Sequence, residues 1–179
     1  MGLPPKVASQ RIPDFAAGNY ATVNVMRGAA RGRSGDPRIR QLALRILTHA
    51  KVKSHNFVDE AKALARFVQE NVRYVRDPNG IEQLHVPVYM VDQIVKGVAQ
   101  GDCDDQALLL ATLLLSVGHQ PYFAIVKYGK DMGAYNHIYT VVYEKNWNRN
   151  TQRLVLDTII KDRGIGFEVP YQEIKEIPV

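Results

Sequence analysis

The chain has 179 residues, 46% of them hydrophobic and 23% charged, enough for one globular domain with a sizeable core. The longest apolar run, Ala107–Leu115 broken only by Thr112, falls far short of the about 20 residues a bilayer span needs, so no transmembrane helix is expected. One cysteine excludes an internal disulfide and suits a reducing compartment, which makes the cytoplasm the expected location. The net charge of +5 owes much to early arginines: Arg11, Arg27, Arg31, Arg33, Arg38, Arg40 and Arg45. No aromatic residues interleave with those of Arg27–Arg45, so nucleic acid is disfavoured as a partner and a solvated leader is the simpler reading.

The opening MGLPPKVASQ has two prolines and no apolar core, so it does not read as a signal peptide. Lys6 stands where a myristoylation motif wants Ser or Thr. Residues 1–35 mix Gly, Ala, Pro and Arg with little periodicity, and are read as a basic, partly flexible, extended arm preceding a domain over 36–179.

Asp36-Pro37 pairs an N-cap residue with proline at the first helical position, and Ile39, Leu42, Ala43, Ile46 and Leu47 follow at helical spacing, predicting a helix over 37–51. Asn56 caps a second, over 57–75, with its stripe at Phe57, Ala61, Leu64, Ala65, Val68 and Val72. The run Asp77-Pro78-Asn79-Gly80 is a turn. Residues 81–87 read as a loop or short strand and 88–96 as a short helix. Residues 103–117 are apolar almost all round, hence a central buried helix, stopped by Gly118. The β-rich runs 122–128, 136–143 and 153–157 come after it, so the fold class is α+β with a mainly antiparallel sheet.

The lone thiol lies in GDCDDQALLL, at the first turn of the buried helix. Unpaired N–H groups there carry about half a positive charge and can lower a cysteine pKa. The same field suits the neighbouring acids, and Asp102 reads as the cap. A nucleophile also needs a base, usually a histidine held by a third group. Among His49, His55, His85, His119 and His137, the last opens a strand, HIYTVVY. A hairpin centred on Trp147, with paired numbers summing to 294, would set His137 opposite Asp157 on one face. Cys103 would then be a thiolate paired with His137, oriented by Asp157. The alternative is a buried structural thiol and an unrelated histidine. The helix-start placement and the His–Asp register favour catalysis.

GDCDDQALLLATLLLSVGHQPYFAIV, then NHIYTVV, then LVLDT, resembles the transglutaminase-like superfamily of papain-like fold. VRYVRDPNGIEQLHVP, upstream, is similar to transglutaminase-like cysteine peptidases encoded by bacteriophages and prophages, and the resemblance covers about residues 57–160. It implies helices with a central Cys-bearing helix packed on the sheet. It also implies thiol-dependent acyl transfer on peptide or amide bonds, with Cys103 as nucleophile, His137 as base and acid, and Asp157 as orienter. The enzyme would be a cysteine peptidase, an amidase or a transglutaminase, acting on a protein or peptide substrate without a cofactor. Phage origin would put the chain in the bacterial host's cytoplasm or the virion, with phage structural proteins as partners. A non-catalytic phage assembly module retaining the fold is the alternative. Ile138 and Tyr139 stand where many members carry an aromatic, often Trp, soon after the histidine. The Cys103 backbone N–H is the natural first oxyanion donor, with Gln100, Gln93 and Tyr74 as candidates for a second. Some related bacterial peptidases bind calcium through acids on both sides of the cysteine, matched here by Asp102 and Asp104. Capping accounts for these better, because a hard cation wants six to eight oxygens.

Overall fold

The computed structural model describes residues 7–10, 16–77, 82–129, 135–145 and 151–179. Elements run β1 (Val7–Gln10), α1 (Ala16–Arg33), α2 (Pro37–His49), α3 (Phe57–Asn71), β2 (Arg73–Tyr74), β3 (Glu82–His85), α4 (Pro87–Val95), β4 (Gln100–Gly101), α5 (Cys103–Ser116), β5 (Pro121–Lys127), β6 (His137–Lys145), β7 (Thr151–Leu156) and β8 (Glu173–Pro178). The fold is α+β, with helices packed on a four-stranded antiparallel sheet in the order β7-β6-β5-β8.

Helix starts follow local chemistry. The Asp36 carboxylate accepts the Arg38 N–H at 3.0 Å, with Pro37 opening α2, and the Asn56 carbonyl accepts the Asp59 N–H at 3.3 Å at the head of α3. Helix α5 ends at Ser116, and Gly118 just beyond it has a φ of +97°, open to glycine and strained for other residues.

Helix α5 is the core. Leu109, Leu110, Leu113 and Leu114 pack against α2, α3 and α4, while Ala107, Leu108 and Ala111 meet α1 and the sheet at Phe123, Ile125 and Ile138. Each fully buried leucine contributes about 1.5–3 kcal/mol. The Thr140 hydroxyl donates to the Ala107 carbonyl at 3.1 Å, tying β6 to α5 beneath the cysteine.

The sequence reading needs three corrections. Residues 16–33 are a helix, not an extended arm: Val23, Met26 and Ala30, at helical spacing, are buried against α5. Helix α3 stops at Asn71 rather than 75, because Arg73 and Tyr74 pair in parallel with Gln100 and Gly101. The β6–β7 ladder runs two residues beyond the expected register, with paired numbers summing to 296 (Val141 opposite Val155). An even shift leaves every side chain on its expected face. The hairpin centre at Trp147, the turn over 78–80 and most of the first 15 residues lie outside the described residues.

Candidate active site

Cys103 is the first residue of α5 and the only cysteine. Asp102 occupies the N-cap position but makes no side-chain cap hydrogen bond, which corrects the capping role expected of it. It lines a cavity of about 430 Å³ together with Cys103 and Asp104. The far wall comes from the start of β6, with Asn136, His137 and Ile138, and further sides from Tyr74, Arg76 and Tyr135. Helix α1 adds Thr22, Val23 and Met26.

His137 is buried and held from several directions. Its Nε2 lies 2.7 Å from Asp157 Oδ2, and the other Asp157 oxygen accepts the Ile159 N–H at 3.1 Å. With the ladder shifted, Asp157 reaches the imidazole along a diagonal, from just past the end of β7. Tyr128 meets the ring edge-on at 5.8 Å and Tyr139 lies at 5.6 Å. The Asn136 side chain closes the loop before the histidine, accepting from the Tyr128 N–H at 3.1 Å and donating to its carbonyl at 2.8 Å. Tyr139 in turn donates to Glu168 at 2.5 Å, and Arg153 clasps the same carboxylate through both terminal nitrogens at 2.7 and 3.0 Å.

The thiol's surroundings run against the expected thiolate. Burial pushes its pKa well up, and Asp104 and then Asp102 push it further; only the Ile138 backbone N–H pulls it down. The Cys103 sulfur lies 3.5 Å from Asp104 Oδ1, placed to donate its proton there. Burial first, and then the two carboxylates, favour the protonated thiol over the thiolate.

Of the second oxyanion candidates, Tyr74 lines the cavity; Gln93 and Gln100 do not. Gln100 accepts from the Arg73 guanidinium at 2.8 Å. Partial burial raises the Tyr74 phenol, keeping it a donor. The ligand atoms of Asp102, Cys103 and Asp104 lie within 4.8 Å of one another, but two carboxylates supply few of the oxygens a hard cation requires.

The sequence reading passed over a second His–Asp pair behind the cysteine. Fully buried Asp105 accepts both from the His85 backbone N–H at 2.7 Å and from its ring Nδ1 at 2.6 Å, and Tyr89 stacks on the imidazole at 5.6 Å. A Cβ on Gly101 would sit 2.5 Å from this carboxylate, so only glycine lets β4 pass. The signal was present in "GDCDD", whose third aspartate is Asp105.

No protein-family model matches the chain, and no curated protein does. Two solved structures are similar to it in fold. One, from Cytophaga hutchinsonii, is described as a "Putative Cysteine Protease"; it is 16% identical, with a TM-score of 0.47, over 78% of this chain and 40% of its own. The other, from Parabacteroides distasonis, is described as a "putative protease"; it is 13% identical, with a TM-score of 0.44, over 89% of this chain and 34% of its own. This chain therefore spans well under half the length of either. Neither bears on a phage origin. Among the described residues no helix is long and apolar enough to cross a membrane.

Proposed function

We propose that the chain is a thiol-dependent acyl-transfer enzyme of the cysteine peptidase kind, built on the papain-like, transglutaminase-like core its motifs resemble. The observation that carries this reading is the 2.7 Å His137–Asp157 bond on the wall of the cavity that holds Cys103.

Asp157 accepts the Nε2 proton, which leaves Nδ1 of His137 as the basic nitrogen. Because the thiol rests protonated, deprotonation accompanies attack: Nδ1 takes the Sγ proton as sulfur bonds the acyl carbon, and the carbonyl oxygen becomes an oxyanion. The Cys103 backbone N–H and the Tyr74 hydroxyl are the donors for that oxygen. The imidazolium, stabilised by Asp157, returns the proton to the leaving nitrogen as the C–N bond breaks, giving a thioester. An acceptor then adds with His137 again as base, and the thiol is regenerated. Tyr74 and Arg76 are exposed at the cavity, which admits water, so hydrolysis of a peptide or side-chain amide is the favoured outcome.

The test is turnover of fluorogenic peptides and glutamine-containing proteins. Iodoacetamide should abolish release, and Cys103→Ala and His137→Ala should each reduce it on the order of 10³-fold or more. Wild-type rates in Cys103→Ala would overturn the reading.

A further inference from the structure

A second concavity, unrelated to the cysteine, lies where α2 passes into α3. Its volume is about 430 Å³, and Lys51, Lys53, Lys62 and Arg66 stand around it with Asn56 and Asp59. A hollow of about 500 Å³ adjoins it through Ala50, Ala63 and Arg66 and adds Arg45, His49 and Glu70. None of these residues lines the Cys103 cavity.

Three observations set this surface apart from an ordinary solvated face. Arg45, Lys51, Lys53, Lys62 and Arg66 form no ion pair among the described residues, although Arg38, Lys127, Arg153 and Arg163 do elsewhere. The one acid inside the first concavity, Asp59, accepts from the Asn56 amide at 2.5 Å. Lys51 has a φ of +52°, just past Ala50, the C-cap of α2, where glycine is the usual occupant. Lys62 and Arg66 are four residues apart on α3, so they rise on one face with their Cβ atoms about 5–6 Å apart.

We infer that the α2–α3 concavity is a binding site for a phosphate-bearing polyanion, with Lys51, Lys53, Lys62 and Arg66 as its ligands. The lysines act as point charges and Arg66 supplies a two-pronged contact to phosphate oxygens. The reading does not depend on the acyl-transfer proposal.

Two probes distinguish the sources of phosphate: sodium tripolyphosphate by calorimetry and a fluorescein-labelled single-stranded 12-nucleotide DNA by anisotropy, both with the full chain at low salt. Binding of the oligonucleotide alone assigns a nucleic-acid backbone, of tripolyphosphate alone a free phosphate compound, and of both the shared site. For DNA, four contacts give a slope of log K against log salt of about −3. The double variant Lys53→Glu, Arg66→Glu should weaken binding tenfold or more. The matched double variant Arg31→Glu, Lys161→Glu, reversing as much charge elsewhere, should weaken it no more than twofold. Lys51→Gly should weaken binding severalfold without lowering the melting temperature, because glycine tolerates that backbone. Binding of neither probe, equal losses in the two double variants, or unchanged affinity in Lys51→Gly would each overturn the inference.

Discussion

At the scale of single residues, two carboxylates act on titrating neighbours, Asp104 on Cys103 and Asp105 on His85. Asp104 sits against the thiol and, after burial itself, contributes most to its raised pKa. Replacing it with asparagine keeps the shape and removes the charge, so the thiolate fraction at neutral pH rises. Asp104→Asn should therefore be alkylated by iodoacetamide severalfold faster than wild type at pH 7, with the midpoint of the rate profile moved to lower pH. An unchanged profile would show that this carboxylate does not control the sulfur. Behind the cysteine, the hydrogen bond to Asp105 raises the His85 pKa, helped by the charges of Asp105, Asp77 and Asp102 and opposed by burial. A raised folded-state value means stability that is fully present below the unfolded value of about 6.5 and lost as pH climbs through the folded one. The stability gap between wild type and His85→Gln should narrow from pH 6 to pH 9 in urea titrations. A gap that widens would place the shift in the opposite direction.

At the scale of elements, α1 is the clearest departure from what the sequence suggests. Its interior contacts are small or single residues, Val23, Met26 and Ala30, and glycines at positions 18, 28 and 32 dilute the periodic signal. What holds the helix is tertiary: α5 beneath it, and the far end of the sheet, where Arg27 Nε donates to the Pro178 carbonyl at 2.7 Å and Lys175 lies over the Tyr20 ring. Met26→Ala should cost about 2–5 kcal/mol in chemical denaturation, the penalty of a fully buried methionine. A loss under 0.5 kcal/mol would describe a loosely attached arm instead. Strand β8 was equally hard to read: Ile174 and Ile177 are three apart, against the strand period, with Lys175 and Glu176 between them. Charges on an edge strand guard against intermolecular pairing, and they obscure the alternation that would reveal it. The capped helices α2 and α3, by contrast, were legible because Asp36, Pro37 and Asn56 state their starts locally.

At the scale of the whole molecule, the His137–Asp157 contact was readable from order and spacing. The His–Asp pairing survived a wrong register only because the error was even. The thiol's protonation was not readable in the same way. It depends on how deeply the carboxylates and sulfur sit together, and the residue string does not encode depth. The α2–α3 basic concavity was hidden too, since its cations are scattered over 45–66 and converge only when two helices pack.

The walls of the cysteine cavity come from stretches beginning at Thr22, Tyr74, Asp102 and Tyr135, and the imidazole's partner from Asp157. Helix α1 is braced in turn by the carbonyl of Pro178. A ribosome must thus release everything from residue 22 to residue 178 before the recess has its final shape, so fragments that lack either end of that stretch should be unable to carry out the proposed acyl transfer.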